Sequence, residues 1–395
     1  MSGPAPGDLD GTGTMTPQAV ARAGLTARTV TLSYFATNVA RQLGLTPPEL
    51  RRHLGDGPFL ASLSTTPLGV SAGITLPLTY AELVRDRRSA RSYAQAALDM
   101  AFAMNASYVS LAGLLASALD YGSRLDAPPG RITTGHATTA AAILKTVQAV
   151  LGVANRRWAV ESVGVLGVGS VGRAVIAAAL AKLGRPRRIV LADLAVKEAE
   201  VTALGDFLAQ DYPGLDVSFA DATRLERNAL YEASLIIGCT STPNVLRVEK
   251  LAPGCIVVDD SVPHCFDVAR ARARVAEAGD ILLANGGGLA FAESYPTTSY
   301  PPELLRRQLG WRAGTHRGSY ITSCVLSPLL MAADPNLPAT VGQGAAVPAV
   351  LANWDALDQH AISAPPIHCA GTSPSSEDIA RFAERFGNAT AHHVS

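Results

Sequence analysis

Between residues 160 and 290 the apolar residues gather into short continuous runs at 163–166, 189–192, 235–239, 281–284 and, ending in an aspartate, 255–259, and 215–219 reads as a further strand. Continuous runs of this length suit strands buried on both faces, as in a parallel sheet. A stretch of helical length at 196–210, and others between the runs, make the pattern one of alternating strands and helices. The prediction is an α/β fold with a Rossmann-like, doubly wound parallel sheet. The first run leads into Gly167, Gly169 and Gly172, then an alanine-rich helical stretch, then a second run that ends at Asp193. That is the βαβ dinucleotide fingerprint in its structural context. Gly167 permits the tight turn, Gly169 lets the backbone approach a pyrophosphate, and Gly172 lets helix and strand pack closely. Ser170 and Val171 open the helix, whose free N–H groups and dipole favour an anion.

Asp193 lies 21 residues past Gly172. A carboxylate there can bond both ribose hydroxyls and would repel a 2′-phosphate, so it favours NADH over NADPH. Arg187 and Arg188 precede that strand and are expected at its other end. Ligands of such sheets bind at the carboxyl ends of the strands, which brings in Thr240 and Ser261 as cofactor candidates.

The flanking regions are less regular. Residues 32–43 read as a helix, and Thr46 followed by Pro47 and Pro48 starts another. Residues 59–77 mix Ser, Thr, Gly and Pro with apolar residues and predict short strands and turns. A helix is expected over 91–104 and a strand over 108–111. The sequence Ile132-Thr133-Thr134-Gly135-His136-Ala137-Thr138-Thr139 then runs into a long apolar helix. It reads either as an elaborate N-cap or as a pocket wall for a carbonyl, a nicotinamide amide or a phosphate. Further on, Cys324 falls near a predicted helix N-terminus behind Thr322 and Ser323, where a thiolate is favoured. Residues from 336 show little periodicity until Ser375, which with Glu377 and Asp378 signals a last helix ending before Gly387.

The expected organisation is a disordered Gly/Pro-rich leader over 1–25 and a mixed α/β N-terminal substrate domain over 26–155. A dinucleotide-binding domain follows over 156–290, then a mainly helical C-terminal segment over 291–395 carrying Cys324. The chain has 395 residues, 48% of them hydrophobic and 17% charged, enough for a large core. Lys plus Arg and Asp plus Glu number 33 each, so no global field recruits nucleic acid. There is no apolar run of about 18 residues for a membrane span and no signal-peptide pattern. Five cysteines without paired spacing argue against a disulfide framework or a metal site and for a reduced, cytoplasmic protein.

The order of motifs resembles the long-chain acyl-[acyl-carrier-protein] reductases of the cyanobacterial hydrocarbon pathway. ITTGHATTA at 132–140 matches that family's FTTGNTHTA, and SVGVLGVGSVGRAV matches its glycine-loop region. ASLII, IVVDDSVP and ILLANGG match later strand ends, and ITSCVLS matches FACFAE around the family's catalytic cysteine. The similarity covers roughly residues 30–333. It implies attack by Cys324 on an acyl thioester of acyl carrier protein or coenzyme A, then hydride reduction of the acyl-enzyme to an aldehyde. Thr134 and His136 become candidates for placing the acyl carbonyl or the nicotinamide.

This chain departs from the family in its loop, GVGSVG for GATGDIG, and in Asp193, which replaces an arginine suited to NADPH. His-Ala-Thr-Thr replaces Asn-Thr-His-Thr, so a shorter acyl, polyketide or aminoacyl group replaces a long fatty chain as readily. Arg85, Arg87, Arg88 and Arg91 form a docking rim for an acidic carrier protein or a solvated helix face. Two other readings remain. One is an NAD(P)-dependent dehydrogenase of the shikimate or ornithine-cyclodeaminase type, without a covalent intermediate. The other is a non-catalytic dinucleotide-binding sensor or scaffold. The sequence leaves homo-oligomerisation open.

Overall fold

The computed structural model describes residues 14–35, 37–224 and 228–388. Most of the expected leader therefore lies outside the described residues, as does the terminal AHHVS. The part of the leader that is described is folded. Helix α1 (Pro17–Arg22) is capped by Thr16, and Met15 is fully buried in the apolar core beside it. The signal was Thr16-Pro17, a helix start of the same kind as Thr46-Pro47.

Strand β1 (Thr29–Phe35) and the short helix α2 (Thr37–Gln42) replace the helix expected over 32–43. Thr29, Thr31 and Ser33 alternate with Val30, Leu32 and Tyr34, a period of two, and β-branched and aromatic residues favour strand. Next come α3 (Pro47–Leu54), with Thr46 and Glu49 in a capping box, and the hairpin of β2 (Phe59–Thr66) and β3 (Gly69–Thr79). Helices α4 (Tyr80–Arg85) and α5 (Arg87–Ala103) follow, then β4 (Tyr108–Leu111), α6 (Leu115–Ala118), β5 (Ile132–Thr133) and α7 (His136–Val153). The arginines of the supposed docking rim are partly spoken for, because Arg87 and Arg91 both pair with Asp120.

The fingerprint region folds as predicted. It comprises β6 (Ser162–Leu166), α8 (Ser170–Leu183), β7 (Arg188–Asp193), α9 (Glu198–Asp211), β8 (Asp216–Asp221), β9 (Leu235–Gly238), β10 (Ile256–Asp259), α10 (Val268–Ala278) and β11 (Leu282–Asn285). Its six strands run in the order β11-β10-β9-β6-β7-β8, and every pairing is parallel. Counted from β6 this is the 3-2-1-4-5-6 order of the doubly wound dinucleotide-binding sheet. Arg188 begins β7, at the end away from the glycine loop, as the sequence predicted.

The last part of the chain departs from the mainly helical expectation between 288 and 322. Strands β12 (Gly288–Ser299) and β13 (Gly314–Thr322) flank α11 (Glu303–Leu309). Thr297–Ser299 of β12 pair antiparallel with Ser62–Ser64 of β2, giving a seven-stranded sheet in the order β13-β12-β2-β3-β1-β4-β5. Helices α12 (Ser323–Ala333), α13 (Val347–Gln359) and α14 (Ser376–Phe386) complete the chain. Sequence reading missed α13, and it found α14 with its Ser375–Asp378 capping box.

The chain forms two compact units whose boundaries differ from the expected domains. One comprises the chain to Thr138 with Phe291–Gln343 and Gln359–Ala361; the other has Thr139–Ala290, Gly344–Asp358 and the chain from Ile362. The segment after residue 290 is thus shared out, because β12 and β13 complete the first unit's sheet by hydrogen bonding.

In the second unit, Glu161 just before β6 is fully buried, and its carboxylate is held by three neighbours. Arg156 donates to it through Nε at 2.9 Å and through Nη2, Ser234 Oγ donates at 2.5 Å, and Asn388 Nδ2 at 3.0 Å. Arg156 also donates to the Gly254 carbonyl at 2.6 Å. Removing one member of a buried pair strands the other charge away from water. Glu161→Ala should therefore cost about 3–5 kcal/mol, read as a lower urea midpoint.

Candidate functional site

The second unit carries a glycine loop whose three glycines do different work. Gly167 has φ +94°, and a Cβ there would stand 2.6 Å from the Cys239 carbonyl oxygen at the end of β9. The loop thus abuts the strand beside β6 at the point where strand order reverses, the crevice where such sheets take ligands. A Cβ on Gly172 would stand 2.1 Å from the Gly167 carbonyl oxygen, so close packing of helix on loop excludes any side chain. Gly169 is the N-cap of α8, and nothing lies within 4 Å of where its Cβ would be. An open space over the first N–H groups of a helix fits a phosphate. The buried Ser170 side chain accepts from Gly344 N at 2.9 Å, and Val171 is half-buried in the same turn.

Asp193 ends β7 with its carboxylate turned onto this loop. Oδ2 accepts from Val168 N at 2.8 Å and Oδ1 from Leu194 N at 2.8 Å, while Lys197 Nζ stands 3.4 Å from Oδ2. Asp193 therefore also pins the loop, and Lys197 is a cation beside it that sequence reading did not single out.

Thr240 and Ser261 meet at the carboxyl ends of β9 and β10, where Thr240 N donates to Ser261 Oγ at 3.1 Å. Beneath them, buried Asp259 accepts from Ser261 N at 3.1 Å and Cys265 N at 3.3 Å, with His264 Nδ1 at 2.8 Å. Asp260, partly exposed, shares this strand end. Burial first, and the Asp259 charge second, push its carboxyl up to about 8 from 3.8. A carboxyl of this kind is neutral at pH 7 and can donate a hydrogen bond. Because the folded value is raised, its stabilising contribution is complete below the unfolded value and is lost as pH rises through about 8. Asp260→Asn should flatten the loss of stability between roughly pH 5 and pH 9, measured by urea unfolding at both ends. Across from Asp259, Asn285 ends β11 with a buried Oδ1 that has no hydrogen-bond partner among the described residues.

The cysteines divide clearly. Burial raises the thiols of Cys239 and Cys265 well above their ordinary value and those of Cys255 and Cys369 to about 12. These four stay protonated and unreactive. Cys324 is half-buried and sits in the second position of α12, where helix N–H groups favour a thiolate. Thr322, the N-cap, makes no capping bond; its Oγ1 stands 3.4 Å from the Cys324 sulfur instead.

The first unit also brings the threonine-rich turn to Cys324. A Cβ on Gly135, which has φ +72°, would lie 3.4 Å from the Cys324 Cα and 3.5 Å from Ser327 Cβ. Gly135 thus lets the turn lie flat against the helical turn that carries Cys324. Thr134 Oγ1 accepts from His136 N at 3.5 Å, and Thr133 Oγ1 accepts from Gly135 N at 3.1 Å, so the capping reading is present. Thr340 ties both hydroxyls together, at 3.0 Å from Thr133 Oγ1 and 3.1 Å from Thr134 Oγ1. His136 packs edge-on to Tyr121, and burial lowers its imidazole to about 4, so it is neutral at pH 7.

Two further residues shape the turn at Cys324. Pro328 lies four residues after Cys324 inside α12 and has no N–H to offer the Cys324 carbonyl. Ser110 Oγ donates to that carbonyl instead, at 2.6 Å, and lies 3.0 Å from Thr31 Oγ1. The proline was a legible signal. Ser110 was not, since nothing in its own strand marks it.

No family model matches the chain, and no curated protein matches it. Among solved structures it is similar to 2R,3R-butanediol dehydrogenase from Bacillus subtilis, at 16% identity and TM-score 0.22 over 32% of this chain and 34% of that one. It is similar to L-tryptophan dehydrogenase from Nostoc punctiforme at 11% identity and TM-score 0.33, over 90% and 87%. It is also similar to shikimate 5-dehydrogenase from Listeria monocytogenes, solved with shikimate and NAD, at 14% identity and TM-score 0.31 over 66% and 88%. The doubly wound assignment stands on the strand order and the glycine loop. Among the described residues, no helix is long and apolar enough to cross a membrane, and no group of three or more His, Cys, Asp and Glu side chains is placed to hold a metal.

Proposed function

We propose that the chain reduces an acyl thioester, carried by acyl carrier protein or coenzyme A, to an aldehyde through an acyl group held on Cys324. The observation that carries the reading is the packing of Gly135 against Cys324, which joins the two motifs of the family resemblance in one unit. The Cys324 thiolate attacks the thioester carbonyl carbon, a new carbon–sulfur bond forms, and the carrier thiolate leaves and takes up a proton. The N-terminal turn of α12 holds the negative sulfur before the attack. The turn at Thr134–His136 is the candidate for orienting the acyl carbonyl, with neutral His136 able to donate without carrying charge.

NADH or NADPH would be held by Gly167, Gly169, Gly172 and the first N–H groups of α8, with Thr240 and Ser261 at the strand ends. When bound, the dinucleotide would supply the hydride that reduces the acyl group, and cleavage of the carbon–sulfur bond to Cys324 would free the aldehyde and return the thiolate. Asp193 favours NADH by its charge, whereas Lys197 offsets that charge and the family resemblance favours NADPH. The test is aldehyde production from a panel of acyl thioesters with each cofactor, and absence of aldehyde across the panel rejects the reading.

A plain NAD(P)-dependent dehydrogenase is the second reading, and Asp260 favours it. A carboxyl that titrates near 8 at the sheet's carboxyl end is matched to proton transfer at physiological pH. In that case Asp260→Asn would stop turnover and Cys324→Ser would leave it.

A further inference from the structure

The first unit contains a cavity of about 270 Å³ that none of the chemistry above uses. Its floor is the tilted pair Phe35 and Phe59, with ring centroids 6.0 Å apart, backed by the apolar cluster that includes Leu54 and Leu305. Ala61 and Thr75 form one wall, and Trp311 and Arg312 stand at the loop between α11 and β13. Trp311 is 44% exposed, an unusual position for the largest apolar side chain. Arg312 is exposed, and among the described residues it is in no ion pair or hydrogen bond. Aromatic faces next to a free cation match a ligand with an apolar body and an anionic end. A cavity of about 150 Å³ holds a benzene, so this one takes a substituted ring or a branched chain and is too small for a long straight one.

The cavity also has a place relative to Cys324. Thr75 Oγ1 is 2.9 Å from Ser33 Oγ, and Ser33 is two residues along β1 from Thr31. Alternate residues of a strand share a face and stand about 7 Å apart. Thr31 lies 3.0 Å from Ser110, which holds the Cys324 carbonyl. The cavity wall on β3 and the support of Cys324 on β4 therefore lie on one face of the sheet, joined through Ser33 and Thr31 of β1.

We propose that this cavity binds a compact aryl or branched-chain carboxylic acid, its apolar body on Phe35, Phe59 and Trp311 and its carboxylate on Arg312. The site goes beyond the thioester reading and does not depend on it. The experiment is calorimetric titration of the full chain with phenylacetate, 3-methylbutanoate, phenylacetamide and hexadecanoate. Saturable binding is expected for the first two acids. The neutral amide should bind at least about tenfold more weakly, and hexadecanoate should not displace phenylacetate.

Arg312→Gln, an exposed change, should bring phenylacetate down to the affinity of the amide. Ala61→Phe should fill the cavity and abolish binding, with the thermal melt showing that the variant is folded. Absence of saturable binding by both acids overturns the proposal. So does binding that Arg312→Gln leaves unchanged. Since binding is read without turnover, failure here leaves the thioester reading standing, and failure of that reading leaves this site standing.

Discussion

Cys324→Ser should lower aldehyde formation by roughly a thousandfold or more while leaving dinucleotide binding and thermal stability within error of the parent. The size of the effect follows from what replaces the sulfur. A serine hydroxyl in the same helical turn is not ionised at pH 7 and is a far weaker nucleophile than a thiolate. Thr322 Oγ1 is a hydroxyl, and the Ser110 hydroxyl is directed to the Cys324 carbonyl. The other four cysteines cannot substitute, because burial holds their thiols protonated. A steady-state assay of aldehyde release, paired with a melt, separates this outcome from misfolding. Retained activity would point instead to the dehydrogenase reading and to Asp260.

The second large effect concerns the glycine loop, and it should differ sharply between two neighbouring glycines. Gly172→Ala places a methyl 2.1 Å from the Gly167 carbonyl oxygen, a backbone atom and not the end of a flexible side chain that could yield. The loop must move off α8, which costs at least the 1–3 kcal/mol typical of overpacking, about 2 kcal/mol. The first N–H groups of α8 move with it. Dinucleotide affinity should fall by about a hundredfold or more together with the melting temperature. Gly169→Ala meets no protein atom within 4 Å. That variant should melt like the parent yet lose dinucleotide affinity, because its methyl occupies the space a phosphate approaches. Parallel titrations with NADH and NADPH, alongside melts, check both variants. Equal melts with unchanged binding in Gly169→Ala would contradict this placement of the pyrophosphate.

Legibility in the sequence followed the range of the forces involved. The second unit's sheet was readable because its strands other than β8 are mainly continuous apolar runs and its glycines carry φ and packing constraints that local sequence expresses. The same holds for the caps at Thr46 and Ser375. The first unit's sheet was harder. β1 alternates polar and apolar residues, but Leu32 and Phe35 also fall at helical spacing with Val39, Ala40 and Leu43; pairing with β3 and β4 on both sides decides the outcome. The contribution of β12 to that sheet depends on hydrogen bonds to β2, more than two hundred residues away, which no local pattern encodes. The candidate site divides in the same way. Gly135 and Cys324 were each visible as motifs, whereas Thr340, Tyr121 and Ser110 act through long-range contacts and carry no mark of their own. The shift at His136 likewise arises from packing, and that at Asp260 arises first from burial, with its sequence neighbour Asp259 second.

The central claim is that an acyl group resides on Cys324 before it is reduced. Intact-mass and peptide mass spectrometry of the protein mixed with an acyl thioester, first without and then with NADH or NADPH, tests it directly. The account predicts an adduct of the acyl mass on the Cys324 peptide without cofactor, and its disappearance with release of one aldehyde per adduct when cofactor is added. An adduct that is absent with every thioester that turns over, or that sits on another residue, would contradict it.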